Sequence, residues 1–138
     1  MSVLATISKP ENRPPIITIC GDAGTGKTSL AATFPNLIFI RAEDGLQAIP
    51  ADQRPDAFPL LHSGEEIWPQ LIALLNEPHD YKTLVIDSVS ALEALFIRDI
   101  LETNKRAKGI NQALGGYGNG PAAVAAAHLR VRKAAGML

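Results

Sequence analysis

Residues 21–28 read Gly-Asp-Ala-Gly-Thr-Gly-Lys-Thr, a complete G-x-x-x-x-G-K-[ST] segment. No other feature of the chain limits its fold so severely. Gly21, Gly24 and Gly26 let the backbone turn tightly and bring several N–H groups close to an anion. Lys27 is long enough to reach the outer phosphates of a nucleotide, and the Thr28 hydroxyl is a ligand suited to Mg2+. Upstream, Pro15-Ile16-Ile17-Thr18-Ile19-Cys20 is a short β-branched run, which predicts a buried parallel strand over 15–20. Downstream, Thr28 to Phe34 reads as a helix closed by Pro35, with its positive end aimed at the same anion. Strand, glycine loop and helix form the context this motif requires. The predicted phosphate-binding set is Gly21, Asp22, Ala23, Gly24, Thr25, Gly26, Lys27, Thr28 and Ser29.

With 138 residues the chain has room for one domain at most. Hydrophobic residues make up 46% and charged residues 20%, a globular rather than a disordered balance. The formal net charge of −1 provides no global basic field for nucleic acid or membrane, so any such surface must be local. The single cysteine, Cys20, has no partner for an internal disulfide and reads as a small buried hydrophobe ending the first strand. Lys9, Pro10 and Glu11 interrupt the amino-terminal segment early, so it shows neither a signal peptide nor a membrane span. A reducing cytoplasm, bacterial or phage-infected, is the expected location.

Residues 1–14 read as a polar lead-in to a domain over 15–138. A second strand is predicted at 36–41 and a proline-rich loop at 50–59, with a short edge strand from Ala57 to Leu61. Ser63 and Glu66 have the spacing of a capping box, ahead of a helix with Ile67, Leu71, Leu74 and Leu75 on one face. Residues 83–87 predict a third strand. A helix over 90–106 follows, capped by Ser88 or Ser90, with Leu92, Leu95, Phe96, Ile100 and Leu101 at helical spacing. A flexible glycine-rich loop, 109–120, leads to a last alanine-rich helix opened by Pro121 and containing Val124, Leu129 and Val131. This alternation predicts a parallel α/β sheet.

Thr83-Leu84-Val85-Ile86-Asp87 ends an apolar strand in a carboxylate. Downstream of a phosphate loop, such an acid can hold Mg2+ through water, so Asp87 joins Thr28 as the predicted metal pair. Its other reading is an N-cap for the next helix. Ser88 stands where many hydrolytic phosphate-loop enzymes have Glu, so a general base must come from elsewhere. Glu43, just beyond the second strand, is the candidate to orient or deprotonate water, with Asp44 the neighbouring alternative.

Phe39-Ile40-x-Ala42-Glu43 combined with Leu84-Val85-Ile86-Asp87-Ser88 resembles the RecA class of ATPases. In that class the catalytic Glu follows the second strand and the Walker B Asp is followed by Ser. Thr33-Phe34-Pro35 and Gly116-Tyr117-Gly118 also resemble phage-encoded RecA-like ATP-binding proteins, compact relatives associated with single-strand annealing and homologous recombination. The resemblance spans roughly residues 14–127. It implies a RecA-like P-loop three-layer sandwich with ATP and Mg2+ as cofactors, and hydrolysis resting on Lys27 and Glu43. It further implies single-stranded DNA and a second copy of the chain as partners. Arg41 departs from the pattern, where an acid or a small polar residue is usual, and alters the charge beside Glu43.

In the RecA-like branch a further strand normally enters between the phosphate-loop strand and the Walker B strand. The sequence shows none. Either the first and third strands pair directly, as in kinase-type P-loop proteins, or the chain is a fragment lacking the central sensor strand. The second is the expectation, and it predicts marginal stability and poor hydrolysis. The alternative functions are a small-molecule kinase or a nucleotide-gated assembly component with little turnover. Tyr117 in the glycine loop, with Lys105, Arg106 and Lys108 nearby, is a candidate stacking site for single-stranded DNA. Arg130, Arg132 and Lys133 read as a solvated basic face, and His62, His79 and His128 lack ligand spacing, so Mg2+ is the one metal expected.

Overall fold

The computed structural model describes residues 2–138. Three parallel strands form its sheet: β1 (Leu37–Arg41), β2 (Asp56–Ala57) and β3 (Thr83–Asp87), in the order β2-β1-β3. Leu37 pairs with Thr83 and Arg41 with Asp87, so β1 and β3 end level at their carboxyl termini. Beyond β2 the edge continues irregularly, with Phe58 N–H donating to Phe39 C=O and Leu61 N–H to Arg41 C=O.

Alternation along the strands sorts side chains onto two faces. Phe39, Leu37 and Val85 meet Ala31, Leu46 and Ile49, under helix α1 (Lys27–Ala31) and the turn Gly45–Ala48. Ile40, with Leu84 and Ile86, faces the opposite layer. There α2 (Ile67–Asn76), α3 (Val89–Thr103) and α4 (Asn119–Gly136) contribute Ile67, Leu71, Leu92, Phe96 and Val131. Phe39, Ile40, Ile67 and Leu92 are wholly buried, and each such side chain contributes about 1.5–3 kcal/mol relative to exposure. The result is helix, sheet and helix in three layers, the mixed parallel α/β architecture predicted from the alternating pattern.

Several local expectations are corrected. The segment 15–20 is not a strand: it makes no ladder with β3, and Ile16 and Ile17 are 65% and 60% exposed. A β-branched run becomes a strand only where a neighbour takes its backbone donors and acceptors. Here no strand pairs with the segment, and Pro14 and Pro15 have no N–H to give. Direct pairing of the predicted first and third strands, which the kinase-type arrangement needs, is therefore not adopted. For the same reason Cys20 is exposed rather than buried.

The first helix is shorter than the predicted 28–34. Thr33 Oγ1 donates to Leu30 C=O at 2.7 Å and Pro35 forbids continuation, so the chain leaves through a tight turn. Ser63 makes no side-chain cap. Glu66 instead accepts from His62 N–H at 2.7 Å, and Asp99 of α3 accepts from Glu65 N–H at 3.1 Å. Donors in and just before the 3-10 turn Gly64–Glu66 that leads into α2 are thus satisfied by Glu66 and by a neighbouring helix. Ser88 does cap α3, accepting from Ala91 N–H at 3.2 Å. Leu129, expected within the last helix, is on its solvent side.

Candidate nucleotide site

The loop 21–26 wraps the start of α1 at the carboxyl end of the sheet. Gly24 and Gly26 have φ of +79° and +94°, the left-handed region that side-chain-bearing residues avoid. Thr25 closes the turn, its Oγ1 donating to Asp22 C=O at 2.8 Å. Lys27 folds back over the loop, with Nζ donating to Gly21 C=O at 2.5 Å and Asp22 C=O at 2.8 Å. These carbonyls hold an ammonium group where an anion's oxygens can replace them. Ala23 and Ser29 are exposed on the same loop and first helical turn.

Thr28, in the first turn of α1, meets Asp87, the last residue of β3. Thr28 Oγ1 donates to Asp87 Oδ2 at 2.8 Å across 59 positions of sequence. Two hard oxygens converging beside a phosphate loop fit Mg2+, which takes one or two protein oxygens and completes its shell with phosphate and water. The fit is also steric: a Cβ at Gly45 would lie 3.0 Å from both oxygens, so bare backbone walls the pair. Among the described residues no cluster of three or more His, Cys, Asp or Glu forms a separate metal cage.

Glu43 lies just past β1 against the same strand end, its N–H donating to Asp87 C=O at 3.3 Å, while Ala42 N–H donates to that oxygen at 2.8 Å. The Glu43 carboxylate is exposed and makes no hydrogen bond or ion pair among the described residues. Asp44 differs. Its Oδ1 accepts from Arg41 Nη1 at 3.1 Å, and Arg41 Nε donates to Phe58 C=O at 3.2 Å. Arg41, the departure from the expected pattern, therefore engages Asp44 rather than Glu43. Sequence reasoning did not single out Gly45, which the structure places beside the Thr28–Asp87 pair. Its one signal is a glycine two positions after the candidate acid.

The glycine-rich loop is more ordered than expected. Ile110–Gly115 forms 3-10 turns, Asn104 Oδ1 accepts from Leu114 N–H, and Asn119 Nδ2 donates to Leu114 C=O. Tyr117 is fully exposed with φ of +54°, between Gly116 and Gly118. Lys105 and Arg106 line a cleft with Asn104, Gln112 and Gly115. Arg130, Arg132 and Lys133 are all exposed, and the Arg130 guanidinium lies 4.2 Å from the Trp68 ring centroid. Trp68 in turn stacks on Phe96, with centroids 6.4 Å apart. A second cleft, lined by Asn36, Asp56, His79 and Tyr81, sits at the amino ends of the strands. Open parallel sheets bind ligands at the opposite end, where Thr28 and Asp87 meet.

A small parallel sheet flanked by helices, with this loop against the end of a strand, defines the chain as a protein of the P-loop nucleotide-binding fold. A family model described as an AAA domain matches residues 13–134, and the chain belongs to that family. No curated protein matches it, and no solved structure does. Membership makes this a nucleotide-binding P-loop domain of the ATPase type. Among the described residues no helix is long and apolar enough to cross a membrane.

Proposed function

We propose that this domain binds ATP with Mg2+ and hydrolyses it in the manner of RecA-like ATPases, coupled to single-stranded DNA in phage or prophage recombination. The observation that carries the nucleotide part is the Thr28–Asp87 contact at 2.8 Å beside the phosphate loop. In this reading the amides of 21–29 and Lys27 hold the triphosphate, with Lys27 exchanging two backbone carbonyls for phosphate oxygens. Thr28 and Asp87 hold Mg2+, which when bound neutralises charge on the outer phosphates. Glu43, with no competing partner among the described residues, orients the attacking water and takes its proton. Asp44, tied to Arg41, is the weaker candidate.

The DNA part rests on the exposed Tyr117 ring, presented between glycines, with Lys105 and Arg106 along the neighbouring cleft. A ring so placed can stack on a base while the cations meet phosphates. Assembly with further copies of the chain belongs to the same reading. The test is phosphate release by the purified chain with and without single-stranded DNA. Stimulation by DNA that Tyr117→Ala abolishes supports the full reading. Nucleotide binding with turnover indifferent to DNA would remove the recombination part and leave the ATPase.

A further inference from the structure

The turn after β1 does more than present Glu43. It is fixed from three sides. Ala42 N–H and Glu43 N–H both donate to Asp87 C=O, the Arg41–Asp44 ion pair closes across the turn, and Leu46 is buried with Ala31, Phe39 and Ile49. Held this way, Gly45 is pressed onto the Thr28–Asp87 pair. A Cβ there would stand 3.0 Å from Asp87 Oδ2, 3.0 Å from Thr28 Oγ1 and 3.6 Å from Thr28 Cγ2. The first two separations are tighter than ordinary carbon–oxygen contact. An added methyl is accommodated only if the turn or one of the two oxygens gives by a few tenths of an ångström.

We propose that Gly45 is a positioning residue for the metal: its backbone walls the Thr28–Asp87 pair and keeps both oxygens turned to one point. The inference rests on the nucleotide reading above and deepens it. The atoms nearest a Cβ at Gly45 are those of Thr28 and Asp87, so it acts on how Mg2+ strengthens nucleotide binding and not on nucleotide binding itself. Its backbone φ lies outside the left-handed region, so the requirement for glycine is one of space and not of conformation.

The experiment compares affinity for a fluorescent ATP analogue in MgCl2 and in EDTA, for the native chain and for Gly45→Ala. The metal-free affinity of the variant is expected to match the native value, while the enhancement by Mg2+ falls at least tenfold. A variant with the native enhancement overturns the proposal, as does one that loses metal-free affinity in equal measure. A second measurement needs no variant. Adding Mg2+ to the nucleotide-loaded native chain is expected to slow amide hydrogen exchange over 42–46, and unchanged exchange there overturns the proposal even if Gly45→Ala does not fold. Absence of any Mg2+ enhancement in the native chain would instead bring down the nucleotide reading, and this inference with it.

Discussion

Replacing Glu43 by Gln and Asp44 by Asn separates two adjacent acids by their surroundings. Among the described residues the Glu43 carboxylate has no partner, and it stands next to the strand end that also holds Asp87. If it handles the proton of the attacking water, Glu43→Gln removes a contribution of about 10²–10⁴-fold in rate. Nucleotide affinity should stay within about twofold, because the side chain touches neither the loop nor Lys27. Asp44→Asn breaks one ion pair at 3.1 Å whose acid is 44% exposed. Solvent screening holds such a pair to at most about 1 kcal/mol, and the cost falls on the stability of the turn. The hydrolysis rate of Asp44→Asn should therefore stay within about fivefold of native, since 1 kcal/mol corresponds to that factor. Single-turnover phosphate release, with affinity measured in parallel on the same preparations, reads both quantities. Loss of turnover in Asp44→Asn with normal turnover in Glu43→Gln would refute the assignment and the reasoning that a paired acid is the poorer base.

Lys27→Ala should lose nucleotide binding while melting close to the native temperature, because its two hydrogen bonds join exposed groups; calorimetric titration and a thermal melt check both halves. Gly120→Ala drives a Cβ into the Ile110 carbonyl oxygen and should cost about 3 kcal/mol, whereas Gly118→Ala, with φ of +80° and open space, should cost about 1–2 kcal/mol; urea denaturation ranks the two. Tyr81 donates from its hydroxyl to Asp56 Oδ2 at 2.7 Å, and this bond, then slight burial and the nearby carboxylate charge, raise its pKa above 10.0. The raised value means the contribution to stability is fully present below pH 10 and is lost as the pH rises through the folded-state pKa. Tyr81→Phe should accordingly remove that alkaline loss in melts taken from pH 8 to 11.

The phosphate loop, the three-layer alternation and the run ending in Asp87 were legible in the sequence because each depends on local chemistry. Glycine spacing sets backbone conformation, and β1 and β3 are continuous apolar runs suited to a sheet covered on both faces. Residues 83–87 form the predicted strand, and Leu92 and Phe96 turn inward as their helical spacing requires. The fate of 15–20 was not legible. Ile16, Ile17 and Ile19 have strand propensity, but propensity becomes a strand only when another backbone pairs with it, and pairing is a property of the whole sheet. The shifted cap at α2 was hidden for a like reason, since Asp99 reaches Glu65 from 34 positions away. Which acid stays unpaired depended on Arg41 turning to Asp44, and the role of Gly45 depended on two oxygens brought together across 59 positions. By itself the sequence determined the class of ligand and the kind of sheet, because those follow from residues adjacent in the chain. Tertiary structure alone decided which groups face the Thr28–Asp87 pair and how closely the backbone approaches it, because those distances are set by packing between remote segments.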